Sequence, residues 1–143
     1  MSALPDGTPI DVATFLGGRT IGELATKMGI VFYELTPERS VATMLVEGNR
    51  QSAHILHGGA HLVLGETLGS IAANLHAGEG RIAMGIEISA SHSRSIARGT
   101  VVGVCTAISL GRTLTTHEIT VSDDRRRPLS TVRITNFLSD RRD

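Results

Sequence analysis

The stretch 54-HILHGGAHLVLGETLGSIAANLHAG-78 decides the fold. Leu64, Leu68, Ile71 and Leu75 recur at spacings of four, three and four, the apolar stripe of a helix packed on one side. The spacing predicts a helix from about Gly58 to Ala77, stopped by Gly78 and Gly80. Several residues do not suit a plain core helix. It opens on His57-Gly58-Gly59, it carries a lone carboxylate, Glu66, off the stripe, and Gly65 and Gly69 lie in its interior. An interior glycine costs about 1 kcal/mol relative to alanine, so a close neighbour is expected to use these two.

Outward from the helix the chain reads as strands. Residues 30–38 (IVFYELTPE) and 39–48 (RSVATMLVEG) form two, with a turn at Thr36 to Arg39, and a short helical stretch precedes them at residues 20–29. Residues 49–56 (NRQSAHIL) read as a loop. After the helix the periodicity changes to two. In RIAMGIEISASHSR, Ile82, Met84, Ile86 and Ile88 are expected on one face, with His92 and Arg94 where the apolar pattern ends. Residues 99–110, 113–123 and 129–138 supply three more strands, with a polar turn at Asp123–Pro128 and a polar tail from Ser139. Consecutive strands joined by short turns are expected to pair antiparallel. Six such strands have one apolar face to cover and one long helix to cover it. The expected class is therefore α+β, a curved antiparallel sheet wrapped around one long central helix.

Composition narrows the function. A chain of 143 residues with 41% hydrophobic and 20% charged side chains fits one soluble domain spanning residues 1–143. Its 14 basic and 14 acidic side chains balance, Trp is absent and only four residues are Phe or Tyr, so nucleic acid is not the expected partner. Cys105 is the one cysteine, which suits a reducing, cytoplasmic setting. The first sixteen residues lack a basic n-region and no run of about 18 apolar residues occurs, so neither a signal peptide nor a membrane span is expected.

The start of the helix offers chemistry. Its first backbone N–H groups have no intrahelical acceptor, the helix dipole adds positive potential, and glycine lets a ligand reach the backbone. Such a site suits a carbonyl oxygen that becomes negative. Gly58 and Glu66 are about 12 Å apart at 1.5 Å per residue. One small carbonyl cannot touch both, so joint action requires two chains. Two helices packed antiparallel would place one chain's helix start near the other's Glu66, a two-fold dimer with two composite sites. A helix-opening Gly-Gly is often a plain junction and a lone Glu on a helix is often merely solvated. Gln51 upstream and Ser70 one turn after Glu66 favour function.

The segment HGGAHLVLGETLGS resembles the His-Gly-Gly…Glu-x-x-x-Ser/Thr helix of hot-dog-fold acyl-CoA thioesterases, specifically the aryl-CoA (4-hydroxybenzoyl-CoA) type with a glutamate. The resemblance extends through GIEISASHSRS and GVCTAISLGRTL and covers about Gly29 to Leu138. It implies a hot-dog fold, an acyl-CoA substrate with an aryl or medium acyl group, no cofactor, and a dimer or a homotetramer built as a dimer of dimers. It also implies roles. Glu66 matches the catalytic nucleophile or general base, and Gly59 the backbone donor that polarises the thioester carbonyl. His57 and Gln51 match flanking polar residues, and Ser70 the residue that orients water or the carboxylate. His92 and Arg94 match the strand end that meets the coenzyme A arm, and Arg112 and Thr113 a loop near its pyrophosphate. The sequence departs from the pattern at His61, where small residues are common beside the acyl pocket, at Gly65, where Ala is usual, and at Ser91, where Asn is usual.

The residue types suit the chemistry. Backbone donors stabilise a thioester oxyanion without a metal, and a carboxylate can take a proton from water or form an anhydride. Burial on an apolar helix is expected to raise the Glu66 pKa. No metal site is expected from His54, His57 and His61, which lack an acidic partner at ligand spacing. Cys105 reads as a small core residue, and Arg125–Arg127 as a solvated turn or a ribose-phosphate contact. A non-catalytic acyl-CoA or acyl-carrier binding module is the competing function, and a hot-dog dehydratase a third.

Overall fold

The computed structural model describes residues 4–142. Met1–Ala3, at the head of the segment read for a signal peptide, and Asp143, the end of the polar tail, lie outside them. A single 3-10 turn at Val12–Thr14 and a short helix α1 (Glu23–Lys27) precede β1 (Val31–Leu35) and β2 (Arg39–Leu45). Helix α2 (Gly58–Ala77) follows, then β3 (Arg81–His92), β4 (Thr100–Leu110), β5 (Leu114–Ser122) and β6 (Pro128–Asp140). The strands form one antiparallel sheet in the order β1-β2-β4-β5-β6-β3, and α2 packs against β2 through β6. The expected α+β, hot-dog architecture is what the chain adopts.

Local chemistry explains the element ends. The Thr36 hydroxyl donates to the Arg39 carbonyl and accepts from its N–H, closing the β1–β2 turn. At the far end of α2, Gly78 adopts φ +81°, a left-handed conformation that favours glycine. The Asn74 amide then fastens α2 to the start of β3. Its oxygen accepts from Ala83 N–H at 2.9 Å, and its nitrogen donates to the Ser70 carbonyl at 2.8 Å.

Three glycines let α2 sink into the sheet. A Cβ on Gly65 would lie 2.6 Å from Val132 Cγ1 of β6, and one on Gly69 would strike Ile134 of β6. On β4, a Cβ on Gly103 would lie 2.7 Å from Leu68 Cδ1 and 3.1 Å from Leu64 Cδ2. The close neighbour that the helix glycines serve is thus the chain's own strand. In return Leu64, Leu68 and Ile71 are buried, a contribution of about 1.5–3 kcal/mol each. Leu75 joins the same core half-buried.

Two expectations about β3 are corrected. It does not pair with its successor β4. The seven residues 93–99 carry the chain from the far edge of the sheet to β2, and β3 pairs with β6. Nor do Ile82, Met84, Ile86 and Ile88 share one face. The register shifts between Gly85 and Glu87, a β-bulge that exchanges the two sides of the strand. Before it, Met84 pairs with exposed Phe137 and is itself exposed; after it, Ile88, Ala90 and His92 pair with buried Ile134, Val132 and Ser130. His92 therefore lies on the inner face. Among the described residues no helix is long and apolar enough to cross a membrane.

Candidate active site

The first turn of α2 is capped by its own histidine. His57 sits in extended conformation at the N-cap, and its Nδ1 accepts the Gly59 N–H at 2.8 Å. Accepting at Nδ1 leaves the proton on Nε2. The proposed oxyanion donor is thus engaged in the single chain. Above it lies the His92 ring from the end of β3. A Cβ on Gly58 would stand 3.1 Å from His92 Nε2, so a glycine there lets that ring rest over the helix start.

Beneath His92 is the residue that the sequence marked as a departure from the family pattern beside the acyl pocket. His61 is buried at 4% exposure, its Nδ1 is 2.8 Å from the Ser130 hydroxyl of β6, and its ring centroid is 5.0 Å from that of His92. Burial, with His92 adding to it, pushes the His61 imidazole down to about 4 from 6.5. It is neutral at physiological pH.

Glu66 belongs to a second group, two turns along. Contrary to the expected burial, its side chain is exposed, and it has no hydrogen-bond or ion-pair partner among the described residues. It reaches over β3 at Gly85, where a Cβ would lie 3.0 Å from Glu66 Oε2. The same point is 3.7 Å from Asn136 Oδ1 of β6. Ser70 faces this asparagine, its hydroxyl 3.2 Å from Asn136 Oδ1, rather than Glu66. Asn136 is fully buried and its Nδ2 has no partner.

The remaining residues spread out. Gln51 is half-buried, and its Oε1 accepts Ala53 N–H at 2.5 Å within its own loop. Arg94 is exposed just past β3, its backbone N–H on the Leu129 carbonyl. Arg112 and Thr113 form the tip of the β4–β5 hairpin at the other end of α2, where His76 Nε2–H donates to the Gly111 carbonyl at 2.8 Å. One chain therefore gathers His57, Gly59 and His92, holds Glu66 near Ser70, and keeps Arg112 and Thr113 apart from both.

Gly85, Asn136 and Ser130 were missed in the sequence. A glycine inside a strand does signal close approach by another group, and Gly85 fits that rule. The two polar residues of β6 gave no local sign of their helix partners. Elsewhere, Arg127 is committed to the fold, its Nε 2.6 Å from Asp123 Oδ2. Burial opposes the Asp123 charge, but hydrogen bonds from Arg127 and Arg125 outweigh it and hold the carboxyl below the usual range. Among the described residues no group of three His, Cys, Asp or Glu is placed to hold a metal.

Comparison with known proteins identifies the family of the fold that carries these residues. Residues 53–129 match the family model described as the thioesterase superfamily. The chain is 39% identical over 124 residues to the proofreading thioesterase EntH of Cronobacter sakazakii, covering 86% of this chain and 90% of that protein. Among solved structures, a mutant thioesterase from Pseudomonas aeruginosa superposes with a TM-score of 0.83 at 30% identity, over 92% of this chain and 96% of the other. A thioesterase from Haemophilus influenzae gives 0.79 at 29% identity, over 83% and 84%.

Proposed function

The chain belongs to the thioesterase superfamily and is a thioester hydrolase, and from that premise we propose that its substrate is an aryl- or medium-chain acyl-CoA and its catalytic group Glu66. The observation that carries this reading is the Glu66 carboxylate, exposed, unpaired and set over the side-chain-free Gly85. A carboxylate without an ion-pair partner is free to act on water or on carbon.

Glu66 takes a proton from water, the resulting hydroxide adds to the thioester carbon, and the carbonyl oxygen becomes an oxyanion. Gly59 N–H receives that charge, for which the His57 ring must release it. Collapse breaks the C–S bond, and the thiolate of coenzyme A leaves with the proton held by Glu66. In the direct variant, Glu66 Oε adds to the same carbon, expels the thiolate, and water cleaves the mixed anhydride. Ser70 orients the water or the carboxylate, for which its hydroxyl must leave Asn136, and Gln51 and His57 flank the carbonyl. His92 and Arg94 meet the coenzyme A arm. Arg112 and Thr113 touch its pyrophosphate, arginine suiting phosphate through paired N–H donors.

Glu66 and Gly59 act together only across two chains, so the working unit is a dimer or a dimer of dimers, each copy contributing one domain over residues 1–143. The outer edge of β3 supports this. It is a twelve-residue edge strand that itself carries exposed Met84 and Ile86, a surface that edge-to-edge pairing with a second copy would cover. A lone buried cysteine suits a cytoplasmic setting.

The test is free-thiol release from aryl, short and long acyl-CoA esters, wild type beside Glu66→Ala. The expected loss in kcat is at least about 100-fold with folding intact. Near-normal turnover of every accepted ester by Glu66→Ala would sink the mechanism. No turnover by wild type would return the chain to the binding-module reading. Mixing Glu66→Ala with His57→Ala subunits checks the two-chain site, since random reassortment restores about a quarter of wild-type sites.

A further inference from the structure

His61 is a buried titratable residue that this mechanism does not use. A neutral imidazole has two hydrogen-bonding nitrogens, and here only one is satisfied. Nδ1 is bound to Ser130, itself 1% exposed, which fixes the ring from β6. Nε2 has no protein partner among the described residues, and it is not among the polar atoms sealed from solvent. The ring is thus buried and fixed through Nδ1 while Nε2 stays open to solvent, a hydrogen-bonding position that a bound molecule can reach. The free nitrogen belongs to a ring one turn past Gly58, against the ring of His92, which covers the helix start. It lies at the proposed thioester site, not in the middle of the core.

We propose that His61, locked by Ser130, is a specificity-determining residue whose Nε2 hydrogen-bonds a neutral oxygen, hydroxyl or keto, on the acyl group of the thioester. With Ser130 O–H donating to Nδ1, Nε2 carries the proton and donates to a hydroxyl or keto oxygen; with Nδ1–H donating to Ser130, Nε2 accepts from a ligand hydroxyl. A hydroxyl or keto oxygen fits because the ring is uncharged, whereas an acyl carboxylate would be desolvated there without a counter-charge. Selection follows from loss. A plain acyl group leaves Nε2 unpaired beneath bound substrate, while an oxygen-bearing one satisfies it.

This rests on the thioesterase reading, so the experiment uses two readouts. The first is kcat/KM for matched pairs, benzoyl-CoA against its hydroxybenzoyl isomers and a straight-chain acyl-CoA against its 3-hydroxy or 3-keto counterpart. The second is the dissociation constant of the corresponding non-hydrolysable thioethers, which needs no turnover. Wild type is expected to favour one oxygen-bearing member about tenfold over its plain partner in both readouts, near the net limit of one hydrogen bond. His61→Leu should bring the ratio to about one by weakening only the oxygen-bearing member, and His61→Gln, which keeps an amide donor, should restore part of it. Ser130→Ala should shrink the ratio without abolishing it, and serves should His61→Leu fail to fold. A wild-type preference within about twofold for every pair overturns the proposal. So does a ratio that His61→Leu leaves unchanged, or an equal fall for both members, which marks a packing role. Thioether discrimination without thiol release would instead overturn the enzyme mechanism and leave His61 as a binding determinant.

Discussion

Gly65→Ala should destabilise this protein, although alanine is the better helix former and the residue usual at this point of the family pattern. On an exposed helix the change would add about 1 kcal/mol of stability. Here the new Cβ would lie 2.6 Å from Val132 Cγ1, 3.0 Å from its Cβ and 3.3 Å from Cγ2. Ordinary contact begins at 3.4 Å, so α2 and β6 must part by about 0.8 Å at that turn. No rotation of a β-branched side chain relieves a contact made by its own Cβ. Overpacking costs about 1–3 kcal/mol; an overlap of this size that no rotation relieves belongs to the upper part, about 2–3 kcal/mol, and subtracting the propensity gain of about 1 kcal/mol leaves a net loss of about 1–2 kcal/mol. For 143 residues the unfolding entropy near Tm is about 0.3 kcal/mol/K, so Tm should fall by about 3–6 °C at fixed protein concentration. Val132→Ala removes two of the three clashing carbons, and in that background Gly65→Ala should become close to neutral. A Tm that rises by about 3 °C for Gly65→Ala alone would refute the close seating of α2 on β6.

Three further outcomes are expected. Stability should fall on acidification. The folded His61 imidazole lies at about 4 against 6.5 unfolded, so the unfolded chain binds the extra proton between these values. The His61 contribution is complete above pH 6.5 and is lost as pH falls towards 4, at most about 3 kcal/mol, and burial shifts His117 in the same direction. Urea midpoints at pH 7.5 and 5 read this, and equal midpoints would contradict it. Burial pushes the Cys105 thiol up to about 12, so a thiol reagent should label the folded protein only as fast as it unfolds. Prompt stoichiometric labelling of native protein would place the residue elsewhere. Gly85→Ala should displace the Glu66 carboxylate, lowering kcat about tenfold with Tm within about 2 °C of wild type. Unchanged kcat would mean that Glu66 does not act from its position over β3.

What the sequence carried was local. The extent of α2, its glycine stop and the Thr36–Arg39 turn depend on neighbours within a few residues, and periodicity and turn chemistry report those. The bulge in β3 left no such trace. Gly85 and Ile86 preserve apparent alternation while the backbone changes sides, so Met84 was placed beside Ile88 when it faces the opposite way. The pairing of β3 with β6 was equally hidden, because each strand alone is compatible with several neighbours. At the site, His57, Gly59, Glu66 and Ser70 share one helix and could be read together. Ser130 and Asn136 meet that helix across 69 and 66 residues of chain, which no local spacing encodes.

These two contacts also set the two proposed functional regions of the helix apart. At its start, β6 holds His61, His61 abuts His92, and the His92 ring rests over Gly58, so binding geometry there is set by a chain of packed side chains. At Glu66 no described residue holds the carboxylate; the fold only clears space, by a glycine at a bulge and an asparagine that engages Ser70 instead. A rigid start suits recognition, since a group ordered before binding loses little entropy when the ligand arrives. A free carboxylate suits chemistry, since an ion-pair partner would stabilise its charge and weaken it as base or nucleophile. On the proposed function, the helix start supplies the oxyanion donor and the recognition contacts while Glu66 supplies the carboxylate, and the roughly 12 Å between them is why that proposal draws the two from different chains.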